Sequence, residues 1–181
     1  MKGISVGRTL AFLFCGWFGL IAGASLSQVL PPIHGPLPLP PPDVALIVVL
    51  YVGLSARGAV ANVCGIAFIL GYFVDLLSGA PKGEHMLAYA LLGLAVRGAS
   101  TRLLVRGVLY TAAVTALFTV AFGALVVALR HLVEPAVGWG ALRRIPVETL
   151  TTAIFAPLVF RVLRRIDRFF LRDPRALAVM R

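Results

Sequence analysis

Hydrophobic and polar positions fall into long blocks along this chain instead of alternating. Thr9 to Leu30 runs 22 residues without a charge, and Val108 to Leu129 does the same. A helix of roughly 20 residues crosses a hydrocarbon core of about 30 Å, so each block is long enough to span a membrane. Four more apolar blocks accompany them. Val44 to Ala56 has 13 residues, Gly58 to Gly79 is longer and carries Asp75, Met86 to Val96 is short, and Pro146 to Phe160 runs into basic sequence. Backbone in lipid must satisfy its own hydrogen bonds, so the blocks predict helices and not open strands. The expected fold is an all-α integral membrane bundle of six transmembrane helices, near 9–30, 43–56, 58–79, 84–97, 107–129 and 146–165. They form one polytopic domain over 1–181, with a basic tail at 166–181. The short blocks are expected to recruit flanking residues or to be shielded by neighbouring helices.

Composition agrees. Of 181 residues, 60% are hydrophobic and 13% charged, too few polar groups to cover a water-soluble domain of this size. Lys2 and Arg8 before the first apolar run resemble the start of a signal peptide. That run is too long for a usual signal core and ends in proline instead of a small-residue cleavage site, so it reads as a retained helix. Six crossings with the N-terminus inside place 13 of the Lys and Arg residues on one side and four on the other. Positive charge favours the cytoplasmic side, so both termini are expected there. Three of the four outer positives are Arg130, Arg143 and Arg144 in one loop. Basic helix ends account for the net charge of +10, and no nucleic-acid-reading motif accompanies it. Cys15 and Cys64 both fall within apolar helices, as packing residues.

The segment Pro31 to Asp43 holds seven of the chain's twelve prolines and reads as a stiff, extended outer connector. In the first helix Cys15, Gly19, Gly23 and Ser27 recur every four residues, a small-residue stripe suited to close packing, more often within a bundle than between molecules. In the tail Val162, Ile166, Phe169 and Phe170 recur at helical spacing among arginines. This predicts an amphipathic extension on anionic lipid, with Arg164, Arg165, Arg168 and Arg172 as candidate lipid or partner contacts. His34, His85 and His131 fall on the expected outer side with Glu84 and Glu134, but no two share a metal-ligand spacing. No cofactor or metal is expected.

Asp75 interrupts 17 uncharged residues, Gly58 to Val74. An intramembrane carboxylate costs roughly 3 kcal/mol or more, so it should face the bundle interior and have a partner. Gly71 and Gly79 lie four residues to either side, and Phe68 and Ser78 are at nearby angles, so the Asp75 face should be packed. One turn from the Ser78-Gly79 break, Asp75 could accept bonds from freed N–H groups of the turn or of the next helix, with Lys82 and His85 as charge partners. Acid-base catalysis would need a second embedded group, and the candidate is Glu148, which reads as an ordinary acidic helix start after Pro146. No nucleophile elbow or phosphate loop is present. Asp75 is therefore expected to be architectural and the protein not an enzyme.

At these residues the sequence resembles the MreD family of bacterial rod shape-determining membrane proteins. Pro41 to Leu54 (PPDVALIVVLYVGL) carries part of the resemblance. The pattern G-x-x-F-x-x-G-x-x-x-D-L-x-S-G is matched at Gly65, Phe68, Gly71, Asp75, Leu76, Ser78 and Gly79, with Gly83 following. Ala153 to Arg165, with Pro157 inside, resembles the family's last helix. The proline-rich loop and long basic tail depart from the family pattern. The resemblance implies a non-enzymatic scaffold in the inner membrane, acting in the rod complex that elongates the cell wall. Its implied partners are MreC, the glycosyltransferase RodA, a class B penicillin-binding transpeptidase and the MreB filament. It also implies a fold similar to the substrate-binding subunits of energy-coupling-factor transporters. The competing function is such a subunit for a small molecule, which would need a polar outward pocket; His85, Glu84, Lys82 and Trp139 are the candidates for one.

Overall fold

The computed structural model describes residues 6–29, 40–55, 60–79, 81–100, 107–133 and 142–171. Arg172, His34, Glu134, Trp139 and most of the proline-rich connector lie outside these residues, as does the Ser27 side chain. The described residues form six helices and no strand: α1 Val6–Val29, α2 Val44–Leu54, α3 Val60–Ser78, α4 Glu84–Ala99, α5 Val108–Val133 and α6 Ile145–Leu171. Four of them, α1, α3, α5 and α6, are long and apolar enough to cross a membrane.

Successive helices run in opposite directions. The C-terminal part of α3 meets the start of α4 through Asp75 and His85, while Arg8 near the start of α1 meets Asp167 near the end of α6. The bundle thus has an Asp43 end and an Arg8 end, and α1 begins where α6 finishes, at the Arg8 end.

At its centre lies α2. Its 11 residues reach only about 16 Å at 1.5 Å per residue, half a hydrocarbon core. Ala45 to Gly53 are all buried, because α1, α3, α4, α5 and α6 each pack on it. The expectation that neighbours shield this short block fits that wrapping. An apolar run with no polar face is what a helix enclosed on all sides requires. α1 approaches α2 at the small-residue stripe, where a Cβ on Gly19 would collide with Val44, so this part of the stripe faces inward. Tyr51 of α2 is held edge-on between Phe12, at 5.7 Å, and Phe160, at 5.4 Å. Cys15 and Cys64 are free thiols.

α6 continues to Leu171, beyond the expected helix end near 165. Ala156, Phe160, Leu163 and Asp167 form its buried seam at four- and three-residue spacing. Arg161, Arg164, Arg165 and Arg168 are exposed beside it, and Phe169 projects outward. Pro157 stands inside the helix, where it withholds one backbone hydrogen bond from the carbonyl of Ala153.

Candidate functional site

The polar groups of the bundle gather at its two ends. At the Asp43 end the Asp75 carboxylate is almost fully buried, and it caps a helix other than its own. Its Oδ1 accepts from the His85 backbone N–H at 2.9 Å and lies 2.9 Å from His85 Nδ1. Its Oδ2 accepts from the Gly83 N–H at 2.9 Å and the Met86 N–H at 3.3 Å. The first N–H groups of any helix lack intrahelical acceptors, so α3 supplies to α4 what an N-cap side chain ordinarily supplies from within. The negative charge also meets the positive end of the α4 dipole. Of the two expected partners across the turn, His85 is seated on the carboxylate and Lys82 is exposed.

The turn depends on glycine. Gly79 and Gly83 have φ of 65° and 100°, a region that side chains disfavour. Gly71, one turn before Asp75, allows the α4 backbone to come close: a Cβ there would stand 2.6 Å from Met86 Cα and 2.8 Å from the His85 carbonyl oxygen. The expected packed face is narrower than the motif, however. Phe68 is 51% exposed, Gly65 opens onto empty space, and Ser78 is exposed. α4 lies over Gly71 and Asp75, and that leaves Phe68 and Gly65 outside its footprint.

Asp43 closes the same end. Its Oδ1 accepts from Leu46 N–H at 2.9 Å and caps α2, while Oδ2 accepts from the Tyr89 hydroxyl at 2.5 Å. Its own N–H donates to Thr152 Oγ1 at 3.2 Å. One residue therefore joins α2, α4 and α6. Beside it is a cavity of about 200 Å³, bordered by Gly23, Pro41, Phe122, Asp43, His85 and Glu148.

At the Arg8 end, Arg8 Nε lies 2.7 Å from Asp167 Oδ1, and the Tyr51 hydroxyl donates to Asp167 Oδ2 at 3.3 Å. Arg8 also donates to Ser55 Oγ, at 3.3 Å, and Arg97 to the Ser55 carbonyl, at 3.0 Å. These bonds satisfy the C-terminal end of the central helix.

Sequence patterning does not mark Asp43, Tyr89 or Asp167 as embedded polar residues, and Glu148 reads from it as an ordinary helix start. Asp167 had a signal, since it continues the Ala156-Phe160-Leu163 seam at helical spacing. Asp43 had the Pro-Asp opening of an apolar run, an N-cap signature. Nothing in the local sequence distinguishes Tyr89 from the chain's other tyrosines.

A family model described as rod shape-determining protein MreD matches residues 7–166. The chain belongs to the MreD family. A role in rod shape determination follows from that membership, and the MreD description is of a shape-determining protein, not of a catalyst. No curated protein and no solved structure matches the chain. The MreD match reaches into all six helices, stopping five residues short of the end of α6, and contains both polar ends described above apart from Asp167, one residue past its boundary.

Proposed function

We propose that this chain is a non-enzymatic, multi-pass scaffold of the bacterial inner membrane that helps maintain rod shape. In this reading it crosses the membrane six times with both termini in the cytoplasm. It holds an MreC-like protein and the peptidoglycan elongation enzymes, a RodA-like glycosyltransferase and a class B transpeptidase, near the MreB-like filament. The MreD-family match over residues 7–166 carries the proposal. The chemistry of the polar ends supports it: Asp43, Asp75 and Asp167 each accept bonds that hold one helix to another. The exposed arginines of α6, with Phe169, suit contact with anionic lipid or a cytoplasmic partner.

The test is purification of the tagged chain from its native membranes in mild detergent, followed by identification of bound chains. Recovery of an MreC-like chain with elongation enzymes is expected. The cavity beside Asp43 favours one other reading, a substrate-binding subunit of a transporter. Recovery of an ATPase module in place of those chains would establish that reading and overturn the scaffold.

A further inference from the structure

Among the described residues, exposed Tyr and Trp side chains sit near the two ends of the bundle, with one exception. Tyr110 lies two residues into α5 at the Arg8 end, and Tyr72 lies within two turns of the end of α3, toward the Asp43 end. Such rings suit a membrane–water boundary, where the polar atom stays wet. Trp17 is 40% exposed, yet it stands in the middle of α1, 11 residues from Val6 and 12 from Val29. At 1.5 Å per residue those are about 16 and 18 Å, farther than an indole reaches. Its ring N–H makes no hydrogen bond among the described residues, and lipid tails offer no acceptor. Around it the outward face of α1 is a ridge of large side chains. Leu10, Phe14, Phe18 and Ile21 are all exposed at helical spacing, and the Phe14 ring lies 6.0 Å from that of Trp17. α1 is also the least enclosed of the four long apolar helices.

We propose that this ridge is the docking face for a transmembrane helix of another protein, one with small residues along the contact and a serine or threonine hydroxyl level with Trp17. Large side chains on one helix pack closely into a face of Gly, Ala, Ser or Thr. A Ser or Thr hydroxyl in a helix donates to a carbonyl of its own preceding turn and keeps lone pairs for the indole. A second copy of this chain fits less well. A two-fold contact centred on the ridge sets Trp17 against Trp17, two donors without an acceptor. Tryptophan is among the side chains that carry most of the energy of protein contacts.

The inference rests on α1 crossing the membrane, and it deepens the scaffold reading by naming where one partner docks. Its test is photocrosslinking of the full chain in its native membranes, with benzoylphenylalanine in place of Phe14 or Phe18, and in place of Leu117 on the outward face of α5 as the control. The expected result is a protein adduct from the α1 positions and none from the control, with the crosslinked peptide in an apolar helix that carries Ser or Thr within one turn of the crosslink. Trp17→Phe, which keeps the ring and removes the donor, should lower the yield roughly threefold to tenfold. Replacing the partner's hydroxyl residue by alanine should do the same, and it decides the matter if Trp17→Phe does not fold. Adducts with lipid alone, adducts with a second copy of this chain, a captured helix without a hydroxyl, or a yield unchanged by either substitution would overturn the proposal. Co-purification of elongation enzymes without an adduct at α1 would overturn this site and leave the scaffold standing. Capture of such a helix from a protein outside the elongation machinery would establish the site while the scaffold reading fails.

Discussion

At Asp75, charge and hydrogen bonding can be separated by substitution. Asn keeps the size and one acceptor oxygen, while Leu leaves the N–H groups of Gly83, His85 and Met86 without an acceptor, at about 1–3 kcal/mol each. Asp75→Asn should retain much of the folded protein and its partner binding, and Asp75→Leu should lose both, as read by membrane abundance and thermal unfolding. If both variants fold fully yet Asn is as damaging to function as Leu, the charge has a role beyond anchoring. Gly71 and Gly65 form a second contrast. An alanine at Gly71 pushes on the α4 backbone and should cost about 1–3 kcal/mol. At Gly65 the space is open, and the higher helix propensity of alanine should gain up to about 1 kcal/mol. Equal melting temperatures for the two alanine variants would mean that α4 does not press on Gly71. The sequence carried much of this site. An acid in an apolar run, one turn from Ser-Gly, implied a buried acceptor near a helix start. It did not show that α4 crosses α3 so as to cover Gly71 and leave Phe68 outside, because the crossing depends on the whole bundle.

Between elements, Arg8 and Asp167 fasten the first helix to the last. Both are largely buried, so removal of one partner leaves a charge uncompensated, at about 3–5 kcal/mol. Arg8→Met and Asp167→Leu should each destabilise the protein, and the double variant should recover part of the loss, measured by thermal unfolding in a double-mutant cycle. Strict additivity of the two losses would show that the pair does not couple α1 to α6. The helices were legible as apolar blocks, and their ends were less so. α6 ran past its expected end because Asp167 and its neighbours read as tail charges, whereas the buried seam continues through Asp167.

For the whole molecule, the meeting of α1 and α6 at one end accords with an even number of crossings. Which end faces the cytoplasm is argued from the 13-to-4 division of Lys and Arg. Reporter domains fused after residue 181 and within Pro36 to Pro42 should therefore report cytoplasm and exterior respectively. An exterior tail or a cytoplasmic proline segment would invert the arrangement. The fold class was readable from block lengths alone, because lipid permits so few backbone solutions. The enclosure of α2 was harder to read. Its length marked it as unusual, but its surroundings are set by five helices, and three of them, α4, α5 and α6, lie far along the chain.

That enclosure also sets an order of events during synthesis. α2 emerges second, yet Thr152, which bonds Asp43, and Phe160, which packs on Tyr51, belong to the last helix made. Until α6 arrives, the central helix has one side without its final neighbours. A nascent chain stopped before residue 142 should thus leave α2 open, and a cysteine placed at Val49 should react with a membrane-permeant thiol reagent. In the finished chain the same cysteine should be protected. Equal protection in the truncated chain would show that the centre closes before biosynthesis is complete.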